Sequence, residues 1–159
     1  MAGTAICGCA DEKSRLGSEF RYFKPFHVDE IDPEAIELTE EIFGIELVER
    51  SEPWGAVTIF PFARDAFDGA VDGEFDFAGQ AAQGRCTPWV WYVTDSPRSL
   101  AHELGHAYGL GHVDEPCNLM QPRFSCEAGA PRVSEQQLRV VREESGNQEH
   151  VCASLSPPL

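Results

Sequence analysis

Three of the chain's five histidines fall within LAHELGHAYGLGH at residues 100–112. His102 and His106 are four residues apart, so on a helix they lie one turn apart on the same face. Their imidazoles can therefore converge on one metal ion, and Glu103 between them can accept a proton from a water bound to that ion. This H-E-x-x-H arrangement indicates metal-assisted hydrolysis.

A third histidine extends the pattern. Gly109 follows His106 by three residues, and a glycine can adopt the left-handed conformation that ends a helix sharply. The turn would direct His112 back towards the metal ion as a third ligand from outside the helix. Three neutral imidazoles leave the fourth tetrahedral position to water, which is typical of a catalytic zinc site. The sequence therefore predicts one Zn²⁺ ion held by His102, His106 and His112, with Glu103 as the general base.

The pattern resembles the metzincin clan of zinc metalloendopeptidases, whose extended signature H-E-x-x-H-x-x-G-x-x-H is followed by a methionine turn. HELGHAYGLGH matches every fixed position, and CNLMQP at residues 117–122 supplies Met120 eight residues after His112. The segment AHELGHAYGLGH, followed by LMQP, is most similar to the matrixin group and its small bacterial relatives. The resemblance is closest over residues 100–122. Before residue 88 it is only topological, which means that it extends to the order of strands and helices and not to the residues.

The resemblance implies a zinc-dependent endopeptidase acting on proteins or peptides. Its single catalytic Zn²⁺ would activate a water molecule, and Glu103 would take the water proton and pass it to the leaving amine. Met120 would form the hydrophobic floor under the imidazoles. Substrates of this clan lie extended against an edge strand, for which GEFDFAG at residues 73–79 is the candidate. Residues 122–125 would line the primed-side specificity pocket.

Two alternatives stay open on the sequence alone. One is a catalytically silent zinc-binding module on the same fold, against which the intact Glu103 argues. The other is a peptidase restricted to one partner or to itself, which the small size and short loops favour. The exact subfamily also stays open, because Val113 stands where matrixins carry a serine.

A second metal ion is not expected. Residues 63–84 contain no histidine, so the matrixin loop for a structural zinc is not recognisable. Calcium in that stretch would depend on carboxylates alone, and the stretch is interpreted more simply as a solvated acidic loop. The carboxylates concerned are those of Asp65, Asp68, Asp72, Glu74 and Asp76.

Six cysteines, an even number, favour an oxidising compartment, and we expect a secreted or periplasmic protein. Cys117 and Cys126 flank the methionine turn, so a disulfide between them would hold the floor of the cleft. The C-G-x-x-D segment at residues 7–11 is similar to the matrixin latency segment, whose cysteine occupies the fourth zinc position. A disulfide, or a lipid-anchored terminus at Cys7 or Cys9, is the simpler interpretation of this segment.

The length and net charge of the chain limit the number of domains and the classes of partner that we expect. A chain of 159 residues that is 42% hydrophobic fits one domain with one core. It carries 27 acidic and 12 basic residues, a formal net charge of −15, so nucleic acid is not an expected partner. It has no run of about 18 apolar residues and no signal-peptide pattern, so no membrane span is predicted. The oligomeric state does not follow from the sequence, and a monomer is the expectation.

Strands and helices must hold the motif in place. Apart from the edge candidate, β-forming composition marks FRYFKPFHV, IELVE, AVTIFPF and PWVWYVT, at residues 20–28, 45–49, 56–62 and 88–94. Trp54, Trp89 and Trp91 lie in strand-like contexts and are expected in the core. His27 and His150 lie outside the motif and are expected to be surface or packed residues rather than ligands.

Three helices are predicted from their start signals. The first, DPEAIELTEEIF, begins at Asp32 and Pro33, and the motif helix begins at Ser96 and Pro97. The last begins at a capping box at residues 134–137. In the first helix the apolar stripe is Ile36, Leu38, Ile42 and Phe43.

This order of elements indicates an α+β fold. We expect a metzincin-like twisted mixed β-sheet backed by helices, with an active-site helix, a methionine turn and a C-terminal helix. Residues 1–19 are interpreted as an N-terminal arm or leader, and residues 20–159 as a single catalytic domain.

Overall fold

The computed structural model describes residues 19–65, 79–127, 129–155 and residue 157. Within them the chain forms five strands and three helices. In chain order these are β1 (Glu19–Phe23), α1 (Pro33–Phe43), β2 (Glu46–Glu49), β3 (Val57–Phe62), β4 (Gly79–Ala82), β5 (Trp89–Val93), α2 (Pro97–Ala107) and α3 (Glu135–Ser154). The predicted α+β class is confirmed.

The five strands form one mixed sheet in the order β2-β1-β3-β5-β4. All neighbouring pairs are parallel except β4 and β5, which run antiparallel with Gly79 opposite Tyr92 and Ala82 opposite Trp89. Among the described residues β4 therefore forms one edge of the sheet. Of the predicted edge strand at residues 73–79, only Gly79 lies within the described residues.

The other strand predictions are confirmed with small changes of length. β2, β3 and β5 lie inside the predicted stretches 45–49, 56–62 and 88–94. The first strand is shorter than the predicted 20–28 and ends at Phe23, two residues before Pro25. Proline has no backbone N–H to donate to a neighbouring strand, so pairing stops there.

Helix α1 begins and ends where the sequence predicts. The Asp32 carboxylate accepts the N–H of Glu34 at 2.9 Å, Pro33 occupies the first turn, and Gly44 ends the helix at φ 60°. The predicted apolar stripe is confirmed for Phe43, which is buried, and for Ile36 and Ile42, which pack half-buried against the core. The fully buried residues of α1 also include Ala35 and Thr39, which the stripe did not contain. Thr39 can be buried because its hydroxyl donates to the carbonyl of Ala35 at 2.7 Å.

Aromatic side chains join the sheet to the helices. The Phe20 ring of β1 stacks on Tyr108 with centroids 4.3 Å apart and meets Phe43 of α1 at 5.7 Å. The three tryptophans, expected in the core, are only half-buried. Two have indole N–H groups that need a polar partner: Trp54 donates to the carbonyl of Cys152 and Trp91 to the side chain of Gln80.

Helix α3 starts with the predicted capping box. The Ser134 hydroxyl accepts the N–H of Gln137 at 3.2 Å, and the Gln137 side chain accepts the N–H of Ser134 at 2.8 Å. Among the described residues, no helix combines the length and the apolar character that crossing a bilayer requires.

Two disulfides cross-link the described part of the chain. Cys117–Cys126 confirms the predicted bond between the cysteines that flank Met120. Cys86–Cys152 ties the segment before β5 to the last turn of α3, and the N–H of Gly55 donates to the carbonyl of Cys86 at 2.8 Å. The second bond thus anchors α3 to the sheet.

Removing the Cys86–Cys152 bond should destabilise the fold more than removing Cys117–Cys126. The closed loops span 66 and 9 residues, and loop-closure entropy gives about 4 and about 2.5 kcal/mol respectively. Double Cys→Ser variants of each pair, unfolded by denaturant without added metal, would measure both losses. An equal or reversed ranking of the free energies of unfolding would contradict this expectation.

Candidate metal centre

Helix α2 carries the first two histidines and is held on several sides. It packs against α1, β4 and β5, and its residues from Ser99 to Gly105 are all buried. Histidine side chains on such a helix cannot move far, because the surrounding core fixes the helix itself. The site is therefore preorganised by packing.

The three predicted ligands converge at the end of α2. The Nε2 atom of His106 lies 3.1 Å from that of His102 and 3.0 Å from that of His112, and the remaining pair is 3.3 Å apart. Two ligand nitrogens bound tetrahedrally at about 2.05 Å would be about 3.3 Å apart. The group can therefore hold a metal ion, and it is the one such cluster found among the described residues.

Backbone carbonyls fix the orientation of two of these imidazoles. The Nδ1 of His102 lies 2.7 Å from the carbonyl oxygen of Leu119, and that of His106 lies 2.7 Å from the carbonyl oxygen of Leu110. A carbonyl only accepts, so each Nδ1 carries the proton and each Nε2 presents its lone pair to the centre.

Burial keeps these two imidazoles neutral. Burial, opposed by the bond to Leu119, lowers the pKa of His102 to about 4, and burial is also the main cause that lowers the pKa of His106. A neutral imidazole is the form that binds a metal ion. The two ligands on α2 are thus in the binding form without first losing a proton at pH 7.

The turn after α2 brings in the third histidine. The helix ends at Ala107, and Gly109 adopts a φ of 93°, which favours glycine. The N–H of Gly109 donates to the carbonyl of His106 at 3.0 Å, and that of Leu110 donates to the carbonyl of Gly105 at 2.9 Å. This is the turn that the sequence predicted. His112 is exposed, so the centre is open to solvent on that side.

Met120 lies fully buried under α2. Its N–H donates to the side chain of Asn118 at 2.9 Å, and its carbonyl accepts the N–H of Val113 at 3.1 Å. The Asn118 amide also donates to Gln137 at the start of α3. The turn therefore connects the third histidine's segment with the C-terminal helix. Sequence reasoning missed Asn118, whose only signal was its place next to the predicted turn.

Gly105 allows this close packing. A Cβ atom at this position would lie 2.6 Å from the sulfur of Met120, closer than a real Cβ contact. Gly105 occupies the variable part of H-E-x-x-H, so the motif alone did not single it out. The close approach of Met120 to α2 depends on the missing side chain.

Gly105→Ala should therefore cost stability, although alanine is the better helix former. We expect a loss of about 1–3 kcal/mol from overpacking against Met120. Gly111→Ala is the matched control: a Cβ there would meet no atom within 4 Å, and we expect a change within about 0.5 kcal/mol. Denaturant unfolding of both variants measures this. A Gly105→Ala variant as stable as the control would show that Met120 adjusts freely.

Glu103 faces the edge strand. Its residue is 7% exposed, and burial raises the pKa of its carboxyl to about 7. A Cβ on Gly79 would lie 2.5 Å from the Glu103 Cγ atom and 2.7 Å from the carbonyl oxygen of Trp91. Strand β4 therefore passes directly over Glu103 only because residue 79 is glycine. Sequence reasoning missed this role of Gly79.

In the metal-free protein, Glu103→Gln should raise stability at alkaline pH. The ordinary pKa of a glutamate carboxyl is 4.5, and burial raises that of Glu103 to about 7 in the fold. Between these values the folded state binds more protons than the unfolded state, so stability falls as pH rises through this window. The variant should exceed the wild type by up to about 3 kcal/mol at pH 8 and match it near pH 4. Denaturant unfolding of both proteins at pH 4 and pH 8, with chelator present, tests this. A difference in the free energy of unfolding that is the same at both pH values would contradict it.

The remaining predicted residues lie apart from the centre or outside the described residues. His27 and His150 are exposed and are not part of the histidine group. Of the five carboxylates considered for calcium, only Asp65 is described, and no second group of metal ligands is found in the described ranges. The latency segment at residues 7–11, including Cys7 and Cys9, lies outside the described residues.

No model of a known protein family matches the chain, and no curated protein matches it significantly. The functional assignment therefore depends on the residues and their geometry.

Proposed function

We propose that the chain is a zinc-dependent endopeptidase that hydrolyses peptide bonds of proteins or peptides. The observation that carries this proposal is the convergence of three imidazole Nε2 atoms within 3.0–3.3 Å of one another, two of them on the helix that carries the buried Glu103. Three ligands and a neighbouring base are what metal-assisted hydrolysis requires.

The donor set favours zinc. His102, His106 and His112 offer nitrogen ligands only, and three imidazoles with one open position are typical of catalytic zinc. Calcium and magnesium prefer oxygen ligands, which this group does not offer. A zinc ion held here supplies a Lewis acid that polarises a peptide carbonyl and lowers the pKa of water.

Glu103 moves the proton in this mechanism. It follows His102 directly on α2, and its side chain lies against Gly79 of β4. The carboxylate accepts a proton from the attacking water and then delivers it to the nitrogen of the leaving amine. The contacts of β4 and α2 around Glu103 exclude most bulk water from this side of the carboxylate.

Strand β4 offers a place for an extended substrate. It forms an edge of the sheet in the described part of the chain, and Gly79 brings it over Glu103. A peptide that adds to this edge through backbone hydrogen bonds passes the metal centre. Backbone recognition of an extended chain suits an enzyme that cuts within a polypeptide. Residues 79–82 directly continue the stretch at 73–79 that the sequence suggested for this role.

We also propose that the chain works outside the reducing cytosol. Two disulfides link Cys86 with Cys152 and Cys117 with Cys126, and such bonds persist in secreted or periplasmic proteins. Free-thiol labelling of protein recovered from its native compartment tests this. All four cysteines should resist labelling until a reductant is added, whereas four reactive thiols would contradict an oxidising location.

The test of the proposed function is cleavage of an unfolded protein. Purified protein loaded with zinc is incubated with casein, with and without a chelator, and the fragments are identified by mass spectrometry. We expect internal cuts that stop with chelator and return with added zinc. A protein that binds one zinc ion per chain but cuts neither casein nor a peptide library would contradict a general endopeptidase and favour a silent zinc-binding module.

A further inference from the structure

Arg98 lies on the same face of α2 as the metal ligands. It precedes His102 by four residues, which is one helical turn or about 6 Å along the axis. Its guanidinium lies over the ring of Phe124, 4.5 Å from the centroid. Phe124 belongs to the loop that follows Met120, so this contact fixes the guanidinium between α2 and that loop.

Arg98 and His102 are one turn apart on α2, and the ring of Phe124 lies against the guanidinium. A group bound between the metal ligands and Phe124 would therefore meet a fixed positive charge one turn away from His102.

No carboxylate pairs with Arg98 among the described residues. Arg21, Lys24 and Arg64 each form an ion pair with an acidic side chain. Arg98 is half-buried, and this burial lowers its pKa. In a chain with 27 acidic and 12 basic residues, an unpaired and partly desolvated cation is unexpected.

The position of Arg98 in α2 also disfavours its positive charge. It lies in the first turn, where the backbone dipole already carries partial positive charge. That turn contains no acidic residue, and the hydroxyl of Ser96 is hydrogen-bonded to the hydroxyl of Ser99 instead of capping the helix. A bound anion would offset both the burial and the dipole.

We propose that Arg98 binds a carboxylate of the substrate and makes the enzyme prefer an acidic side chain next to the scissile bond. The site is the space between α2 and Phe124, and the ligand is a Glu or Asp side chain of the peptide. A guanidinium is a planar group whose N–H groups form a fork, which suits bidentate binding of a carboxylate. This inference rests on the proposed function.

The overall charge of the chain makes the prediction specific. A net charge of −15 repels acidic peptides at long range, so composition alone favours neutral or basic substrates. A preference for Glu confined to one position beside the cut therefore needs a local cation. The preference should persist at high salt, whereas long-range repulsion is screened.

The experiment compares peptides that differ at one residue. A quenched fluorescent peptide cleaved by the wild type is made with Glu, Gln or Lys at each position flanking the cut. We expect kcat/KM for Glu to exceed that for Gln by about 10–100-fold at one flank only. Arg98→Gln should abolish this difference by lowering kcat/KM for the Glu peptide. Arg98→Glu should shift the preference to Lys.

Two further variants serve as controls. Arg98→Lys keeps the charge without the planar fork and should retain part of the Glu preference, which separates charge from misfolding. Arg139→Gln removes an exposed arginine on α3, at the same change in net charge, and should leave the preference intact. Zinc content and circular dichroism are measured for every variant.

The outcomes separate this inference from the proposed function. A wild type that cleaves peptides without preferring Glu at either flank overturns the inference and leaves the function standing, as does a preference that survives Arg98→Gln. A chain that cleaves nothing overturns the function, and binding then decides the inference. Zinc-loaded Glu103→Gln protein should bind the Glu peptide more tightly than the Gln peptide, and adding Arg98→Gln should remove the difference; equal binding overturns the inference.

Discussion

Replacing Glu103 with glutamine is expected to lower the rate of peptide cleavage about 10²–10⁴-fold while one zinc ion stays bound. The amide has nearly the size and shape of the carboxylate, so the contact with Gly79 is preserved. It cannot accept the proton of the attacking water, because its oxygen is far less basic. The loss should appear in kcat rather than in KM, since substrate contacts are unchanged.

Glu143→Gln is the matched control for this prediction. Glu143 lies exposed on α3, so the same change of charge occurs away from the centre. We expect its cleavage rate to equal that of the wild type. A Glu103→Gln variant that binds zinc and retains more than about a tenth of the wild-type kcat would exclude Glu103 as the general base.

Replacing His106 with alanine is expected to weaken zinc binding about 10²–10³-fold and to abolish cleavage at limiting zinc. Zinc held by a few protein ligands is bound with about 10–16 kcal/mol, so each ligand contributes several kcal/mol. His106 is central to the group, because its Nε2 lies within 3.1 Å of both other Nε2 atoms. Titration with zinc in a competing chelator measures the affinity.

His150→Ala is the control for ligand removal. His150 is exposed on α3 and is not part of the histidine group, so its loss should leave zinc affinity unchanged. The fold should survive His106→Ala in the absence of metal, because the residue is only half-buried. Equal zinc affinity of the His106→Ala and His150→Ala variants would show that zinc binds elsewhere.

Features that depend on a few adjacent residues could be predicted from the sequence. Asp32 and Pro33 begin α1, the capping box of Ser134 begins α3, and Gly109 turns the chain after α2. Each signal is a local hydrogen bond or backbone preference, which distant residues change little. The convergence of the histidines follows from the same logic, because helix periodicity fixes two of them and the turn brings the third.

Features set by distant contacts could not be predicted. Thr39 is fully buried on α1, which packs against α2, but an apolar pattern cannot select a polar residue; the pattern selected Ile36 and Ile42, which are only half-buried. The carbonyls of Leu110 and Leu119 that orient the imidazoles carry no signal in their side chains. Contacts of this kind follow from packing rather than from residue type.

Of the two disulfides, one could be predicted from nearby residues and the other depends on distant contacts. Cys117 and Cys126 are nine residues apart across the methionine turn, and their bond could be anticipated from that separation. Cys86 and Cys152 are 66 residues apart, and only the docking of α3 beside the start of β5 brings them together. Six cysteines allow 15 pairings, so spacing could not identify the second bond.

The most direct test of the central proposal is to titrate the chelated wild-type protein with zinc while recording the rate of peptide cleavage. We expect the rate to rise in proportion to added zinc and to level off at one ion per chain, with no rise in the Glu103→Gln variant. Such a result would tie hydrolysis to one ion and one carboxylate. Zinc bound at one equivalent without any cleavage, or cleavage independent of zinc, would contradict the proposal that this centre is a peptidase.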